Sequence, residues 1–253
     1  DVRKKYAESR RTGILYDYAE DAESEEDAIE DYPVTLFLSQ HGYFKKITPQ
    51  SLRMSGEQKF KEDDALSMSV ESSNAAELMF FTDKAQVYKT RASDFADGKA
   101  SQLGDYLPAK LGMDEGESVM GMVLPGDYSG YMIFFFENGK AAKVELSAYK
   151  TTSNRRRLTG AYSDKSPLKA LLHLKEDREI AVYSTEPRVL IVNTALLGVK
   201  TTRTTQGVAL LTLKKKYVLD TVRFPPQHSR DGRAAQDGGQ RRQAALADLT
   251  SEA

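Results

Sequence analysis

Between Lys140 and Lys216 the chain carries sixteen lysines and arginines against six aspartates and glutamates. Cations in that excess can do one kind of chemistry without a pocket. They neutralise phosphates and release counterions from a polyanion, and they need no contact with a base to do so. The opposite sign gathers between Asp17 and Asp31, where nine acidic residues stand with no basic one, so the net charge of −1 conceals two unlike regions. An acidic leader joined to a basic body is expected of a protein whose body alone meets a polyanion. A solvated basic face is the plainer reading of the same charges.

Other chemistries lack their residues. With no cysteine in the chain, disulfides, thiolate catalysis and cysteine-based metal sites are excluded, and a reducing cytoplasm is the expected compartment. His41, His173 and His228 share no ligand spacing; the first reads as a turn residue and the second as a strand residue. No His-Glu-x-x-His, phosphate-binding glycine loop or Gly-x-Ser-x-Gly is present. Asp63-Asp64 falls in a polar stretch and reads as a solvated loop rather than an acid–base pair. No catalytic residue, metal ligand or cofactor is therefore assigned. The longest apolar run, Tyr131–Phe136, has the length of a strand, far short of the ~20 residues that span a membrane. The opening Asp1-Val-Arg-Lys-Lys-Tyr6 lacks a signal peptide's apolar stretch.

The elements that must position the cations are mostly strands. Residues 1–16 read as the end of a helix, 17–31 as an acidic linker, 32–224 as the folded body and 225–253 as a polar tail without periodicity, with a short helix expected around Arg241–Leu249. Within the body, four runs repeat one pattern of strand, polar turn and second strand: Val34–Ile47, Glu77–Thr90, Tyr131–Val144 and Arg178–Val192. Asn138-Gly139 is the strongest turn signal, since that pair accepts the positive φ angles of a tight hairpin. A period near fifty built from strands predicts radially arranged blades. Glu117–Val123 and Gly207–Leu213 are expected to supply outer strands, the latter closing the last blade with Lys214–Leu219.

Several segments resemble a known family. Lys4-Lys-Tyr-Ala-Glu-Ser-Arg-Arg-Thr12 is similar to the end of the breakage-reunion core in bacterial type IIA topoisomerase A subunits. An acidic linker and a first blade with Gly-Tyr-aliphatic-Lys-Arg follow in that family; here the blade reads His41-Gly-Tyr-Phe-Lys-Lys46. Gly130–Leu146, Ser101-Gln-Leu-Gly-Asp105 and Thr205-Gln-Gly-Val208 also resemble the topoisomerase IV subunit, and the likeness runs over roughly residues 3–222. It implies an all-β fold, the β-pinwheel, whose blades exchange a strand with their neighbours: four blades, or five if the linker or tail adds strands. It also implies a non-catalytic domain that binds and bends double-stranded DNA for an ATP-dependent enzyme, in which ATP and Mg²⁺ act elsewhere. The implied partners, joined in a heterotetramer, are the ATPase B subunit together with the rest of the A subunit; no membrane is implied. A gyrase would carry a Gln-Arg-Arg-Gly-Gly-Lys-Gly box after the first blade. Arg53–Lys61 does not match it, and Gln240-Arg-Arg-Gln243 lacks the glycines. The likeness therefore leans to topoisomerase IV, with a divergent, DNA-wrapping gyrase as the alternative. A propeller-type protein-interaction module is the reading from another class, while a sugar-binding or hydrolytic propeller finds no recurring carboxylate pair.

The expected phosphate contacts are Lys45, Lys46, Lys89, Arg91, Lys143, Arg155, Arg156, Arg157, Lys200, Arg203, Lys214, Lys215 and Lys216, all in or just after the repeated strands. A radial repeat would set such positions at equivalent places on one rim. Tyr43, Phe80 and Phe134–Phe136 are expected to pack the blades rather than stack on bases.

Overall fold

A computed structural model describes residues 29–151 and 156–225. The expected helix end, nearly all of the acidic linker, Arg155 and the tail beyond Pro225 lie outside the described residues. Each predicted hairpin forms. They are β1 (Pro33–Ser39) with β2 (Tyr43–Ile47), β4 (Glu77–Thr82) with β5 (Gln86–Arg91), β8 (Tyr131–Phe136) with β9 (Lys140–Glu145), and β12 (Glu179–Ser184) with β13 (Val189–Asn193). Their innermost assigned pairs, Leu38 with Phe44, Phe81 with Val87, Phe135 with Ala141 and Tyr183 with Val189, each enclose five residues. The four hairpins can therefore be superimposed residue by residue.

Each hairpin grows into a blade in the same way. On its first strand lies a later strand of the chain: β3 (Leu66–Ser73) on β1, β7 (Val119–Val123) on β4, β11 (Leu168–Leu174) on β8, and β16 (Leu219–Arg223) on β12. On its second strand lies a segment that arrives only after the following hairpin has been made. β6 (Asp105–Tyr106) pairs with β2, and β10 (Arg157–Thr159) with β5. In the third blade β14 (Val199–Lys200) and β15 (Val208–Ala209) both pair with β9. Three blades thus borrow an edge from their successor, which is the strand exchange of a pinwheel. Gly207-Val208 accordingly serves the third blade, and Leu219–Arg223 alone completes the fourth, where a single run from Gly207 onward was expected to close the last blade.

Continuous apolar runs such as Tyr131-Met-Ile-Phe-Phe-Phe136 follow from this arrangement, because a strand covered on both faces has no polar side. Phe80 faces the first blade and packs against Phe44 with ring centroids 5.5 Å apart; its neighbour Phe81 faces the third and packs against Phe134 at 5.7 Å. Ile133 and Phe135 turn the other way, onto Ile180, Val182 and Leu219 of the fourth blade. Phe80, Phe81, Phe134, Phe135 and Phe136 are all buried, as their alternation in strands predicts, and each contributes about 1.5–3 kcal/mol. Tyr43 is only half-buried and packs on Tyr106 of the exchanged strand at 5.1 Å.

The exchange crossings explain two glycines that look unremarkable in sequence. Gly104 (φ +90°) and Gly207 (φ +71°) pass so close to the hairpin that a Cβ would fall on the carbonyl oxygens of Phe44 and Ala141. Positive φ and missing space together require glycine there.

Candidate nucleic-acid interface

Of the thirteen cations expected to contact phosphate, the twelve among the described residues divide into two groups, and strand exchange is what divides them. The second strand of each hairpin was expected to lie at a rim. In the first three blades it is instead a central strand, flanked by the first strand and by the exchanged segment. Lys46, Lys89 and Lys143 are superimposable residues of those central strands, opposite Leu36, Met79 and Ile133. Their exposures are 3%, 8% and 3%.

Each of the three ammonium groups is bound by a carboxylate and lies against a tyrosine. Lys46 Nζ lies 3.0 Å from Asp97, donates to Asn74 Oδ1 at 2.6 Å, and lies 5.6 Å from the centre of the Tyr32 ring. Lys89 Nζ donates to the Tyr128 hydroxyl at 2.7 Å and reaches Glu77 at 3.5 Å. Burial, the largest influence, pulls the Lys89 pKa below the usual lysine range, and Glu77 offsets part of that. Lys143 Nζ donates to Asp177 at 2.5 Å and to the Thr194 carbonyl at 3.2 Å, 4.4 Å from the Tyr131 ring centre. The Lys143 hydrogen bond holds the Asp177 carboxyl below its usual range, with Thr194 adding to the effect.

Lys45 points to the other side of its strand. Its Nζ is shared among the carbonyls of Lys59 and Ala100 and Gln58 Oε1, and burial lowers its pKa. These four lysines are structural pins, and the expectation that they line a phosphate track is corrected. A lysine following an aliphatic or aromatic residue reads as a surface charge in sequence, and the residues that cover it lie well separated from it in the chain. The carboxylates and tyrosines that hold these lysines carried no local signal of that role.

The exposed cations belong to the segments that do the covering. Arg156 and Arg157 lie on the segment crossing the second blade, and Arg156 O accepts the Lys89 backbone N–H at 2.7 Å. Lys200 and Arg203 lie on the segment crossing the third. The two segments approach one another around Lys89, whose ammonium is influenced by Arg203. Arg203 also sets its guanidinium 5.7 Å from the Tyr149 ring centre. Asp94 senses both Arg91 and Arg156. Burial opposes its ionisation, but hydrogen bonds from Thr90 and the Arg91 N–H and those two charges hold its carboxyl below the usual range. Arg91 and Arg156, both exposed, therefore lie near Asp94, and the half-buried Arg203 lies near Lys89 and Tyr149.

Arg157 is exposed yet engaged, paired with Asp114 and with Gln86. Lys214, Lys215 and Lys216 are exposed on the segment leading into β16, with Lys214 Nζ 3.7 Å from Glu186. The first blade's crossing, Asp97–Asp105, carries two aspartates and one lysine. The crossings of the second and third blades are thus more cationic than that of the first, where the exposed Arg53, Lys59 and Lys61 lie instead between β2 and β3. Among the described residues no group of acidic or histidine side chains could hold a metal ion, and no helix is long and apolar enough to cross a membrane. His173 Nε2 lies 3.3 Å from the Ser129 carbonyl, and His41 occupies the first hairpin turn. Asp64 departs from the solvated loop expected of it: its side chain is fully buried and accepts the backbone N–H groups of His41 and Ala65.

Comparison with known proteins agrees with this architecture. The family profile described as DNA gyrase C-terminal domain, beta-propeller, matches residues 76–102. The A subunit of DNA gyrase from Mycoplasma pneumoniae is 30% identical over 156 residues, covering 58% of this chain and 18% of that protein. The A subunit of DNA topoisomerase 4 from Staphylococcus epidermidis is 28% identical over 228 residues, 87% of this chain and 28% of that protein. The chain thus spans less than a third of the length of these relatives. Among solved structures, the C-terminal domain of DNA topoisomerase IV superimposes with a TM-score of 0.69 at 20% identity, covering 79% of this chain and 63% of that one. The E. coli ParC C-terminal domain gives 0.58 at 14% identity, covering 75% and 78%.

Proposed function

We propose that this chain, a relative of the C-terminal domains of gyrase and topoisomerase IV A subunits with their β-pinwheel fold, holds a DNA duplex by its phosphates and presents it to a cleavage core. The observation that carries the proposal is the exposure of Arg91, Arg156 and Lys200, with the half-buried Arg203, at the end of β5 and on the exchanged segments that cover the second and third blades. Charges spaced along a blade edge suit a polyanion of any sequence, since each phosphate neutralised releases counterions and none reads a base. Lys214–Lys216 extend the positive surface toward the fourth blade.

In the whole enzyme, strand passage, with ATP and Mg²⁺, takes place on the B subunit together with other parts of the A subunit; this domain supplies none of the reacting groups. Its part is positioning. Bending duplex over a few blades costs several kcal/mol, so many weak phosphate contacts must act together. The cation-poor first crossing favours a short contact over extended wrapping, which fits topoisomerase IV better than gyrase. The gyrase reading is kept because a gyrase A subunit is among the relatives.

Mobility shift on linear duplex across a salt series tests the proposal. The unmodified protein is expected to bind with a steep negative slope of log K against log salt. Arg156→Ala with Arg203→Ala should reduce that slope by about 0.9 for each phosphate no longer neutralised. Salt-independent binding, or none at all, overturns it.

A further inference from the structure

The fourth blade departs from the other three at one edge. Among the described residues no segment pairs with the outer side of β13, so its sheet ends in the order β13-β12-β16. The consequence is visible at a single superimposable position. Counting two residues past each innermost hairpin pair gives Lys46, Lys89, Lys143 and, in the fourth blade, Ile191. The three lysines are between 3% and 8% exposed, whereas Ile191 is 61% exposed. Val189 on the same face of β13 is exposed as well, and so is Leu196 just beyond the strand.

The exposed edge is also unprotected. Val189-Leu-Ile-Val-Asn193 contains no charge and no proline, and edge strands ordinarily carry one or the other to block pairing with another chain. Where three blades place a lysine that needs an acid and a tyrosine to be buried, the fourth places an isoleucine that needs only apolar cover.

We infer that β13 is a docking edge for a second copy of this chain, paired antiparallel with the other copy's β13 across a two-fold axis at Ile191. Strands related by a two-fold axis pair antiparallel, the sense of β6, β10 and β15 on the second strands of the first three blades, whereas Asp97 at Lys46 and Val199 at Lys143 pair in parallel. A two-fold axis there sets Ile191 against Ile191 of the other copy and Val189 against its Asn193. The strand is thus self-complementary, as an isologous interface requires, and no like charges oppose one another along it. The docked strand does for the fourth blade what an exchanged strand does for the others.

The test exploits the absence of cysteine. Residues directly opposite in an antiparallel pair have Cα atoms about 4.5–5.5 Å apart, within disulfide reach. The chain carrying Ile191→Cys, and as control the exposed-site variant Leu103→Cys, are oxidised mildly at about 100 µM. The sedimentation of the unmodified chain and of Ile191→Lys is followed by dilution to about 1 µM. The expected results are a concentration-dependent dimer, lost in Ile191→Lys at unchanged circular dichroism, and crosslinking of Ile191→Cys at least tenfold faster than of Leu103→Cys. A monomer at every concentration overturns the inference, whether β13 amides exchange freely or are protected by another segment of the same chain. A dimer in which Ile191→Cys crosslinks no faster than the control overturns it too, because the contact then lies elsewhere.

Discussion

Replacing Lys143 by alanine separates the two roles a repeated lysine can play. If Lys143 were a phosphate contact, its loss would leave the fold intact and lower the salt slope of DNA binding by about 0.9. The structure requires the reverse. Truncation removes about three methylenes of buried stem, at ~0.8 kcal/mol each, and two hydrogen bonds from a charged donor, to Asp177 and the Thr194 carbonyl, at about 1.5–3 kcal/mol each before relaxation. Asp177 is one-third exposed and can be rehydrated, which recovers part of that loss. A net cost of about 3–5 kcal/mol remains, within the usual range for breaking a buried pair. That corresponds to a fall in Tm of roughly 6–20 °C for a domain of this size. Lys143→Met keeps the stem and should lie between the two. Urea unfolding gives the stability, and a salt series on the folded variant gives the slope. A variant with unchanged midpoint and a shallower slope would refute the burial of this lysine.

Further outcomes follow from the same contacts. Gly207→Ala puts a methyl against the Ala141 carbonyl at positive φ, so it should destabilise the third blade by a few kcal/mol; thermal unfolding measures it, and an unchanged Tm contradicts the close crossing. Asp177 has a folded pKa below its unfolded value, so its contribution is present above the ordinary carboxylate pKa and lost as pH falls through the folded one. Stability measured from pH 6 to pH 2 should therefore decline less steeply in Lys143→Met than in the unmodified protein. At the alkaline end, burial and then the hydrogen bond to Glu117 push the Tyr88 phenol to about 12. The unfolded chain ionises first as pH rises past about 10, so stability should fall between those values, and Tyr88→Phe should flatten that limb in a pH series of urea midpoints.

The hairpins were legible because everything that makes a hairpin lies within fourteen or fifteen residues: alternating or continuous apolar runs, and a polar turn between them. The exchange was not. β6 reaches β2 from just over sixty residues away and is two residues long, too short to leave a periodic signal. The lysines were misjudged for the same reason, since Asn74 and Asp97 around Lys46, and Asp177 and Thr194 around Lys143, lie far along the chain with no local pattern linking them to the strand. One signal was available. Superimposing the four repeats sets three lysines against Ile191, and an apolar residue in a column of charges marks the blade whose surroundings differ. The exposure of Arg91, Arg156 and Lys200 was legible, because it follows from turns and crossings that are polar in sequence.

The proposed function requires DNA to be held by the cations of the crossing segments and not by those of the central strands. Salt-dependent binding of a linear duplex, compared between Arg156→Ala/Arg203→Ala and Lys143→Met, distinguishes the two sets. The expected result is a salt slope lowered by the equivalent of about two phosphates in the first and unchanged in the folded second. An unchanged slope in the arginine pair, with a reduced slope in Lys143→Met, would contradict it.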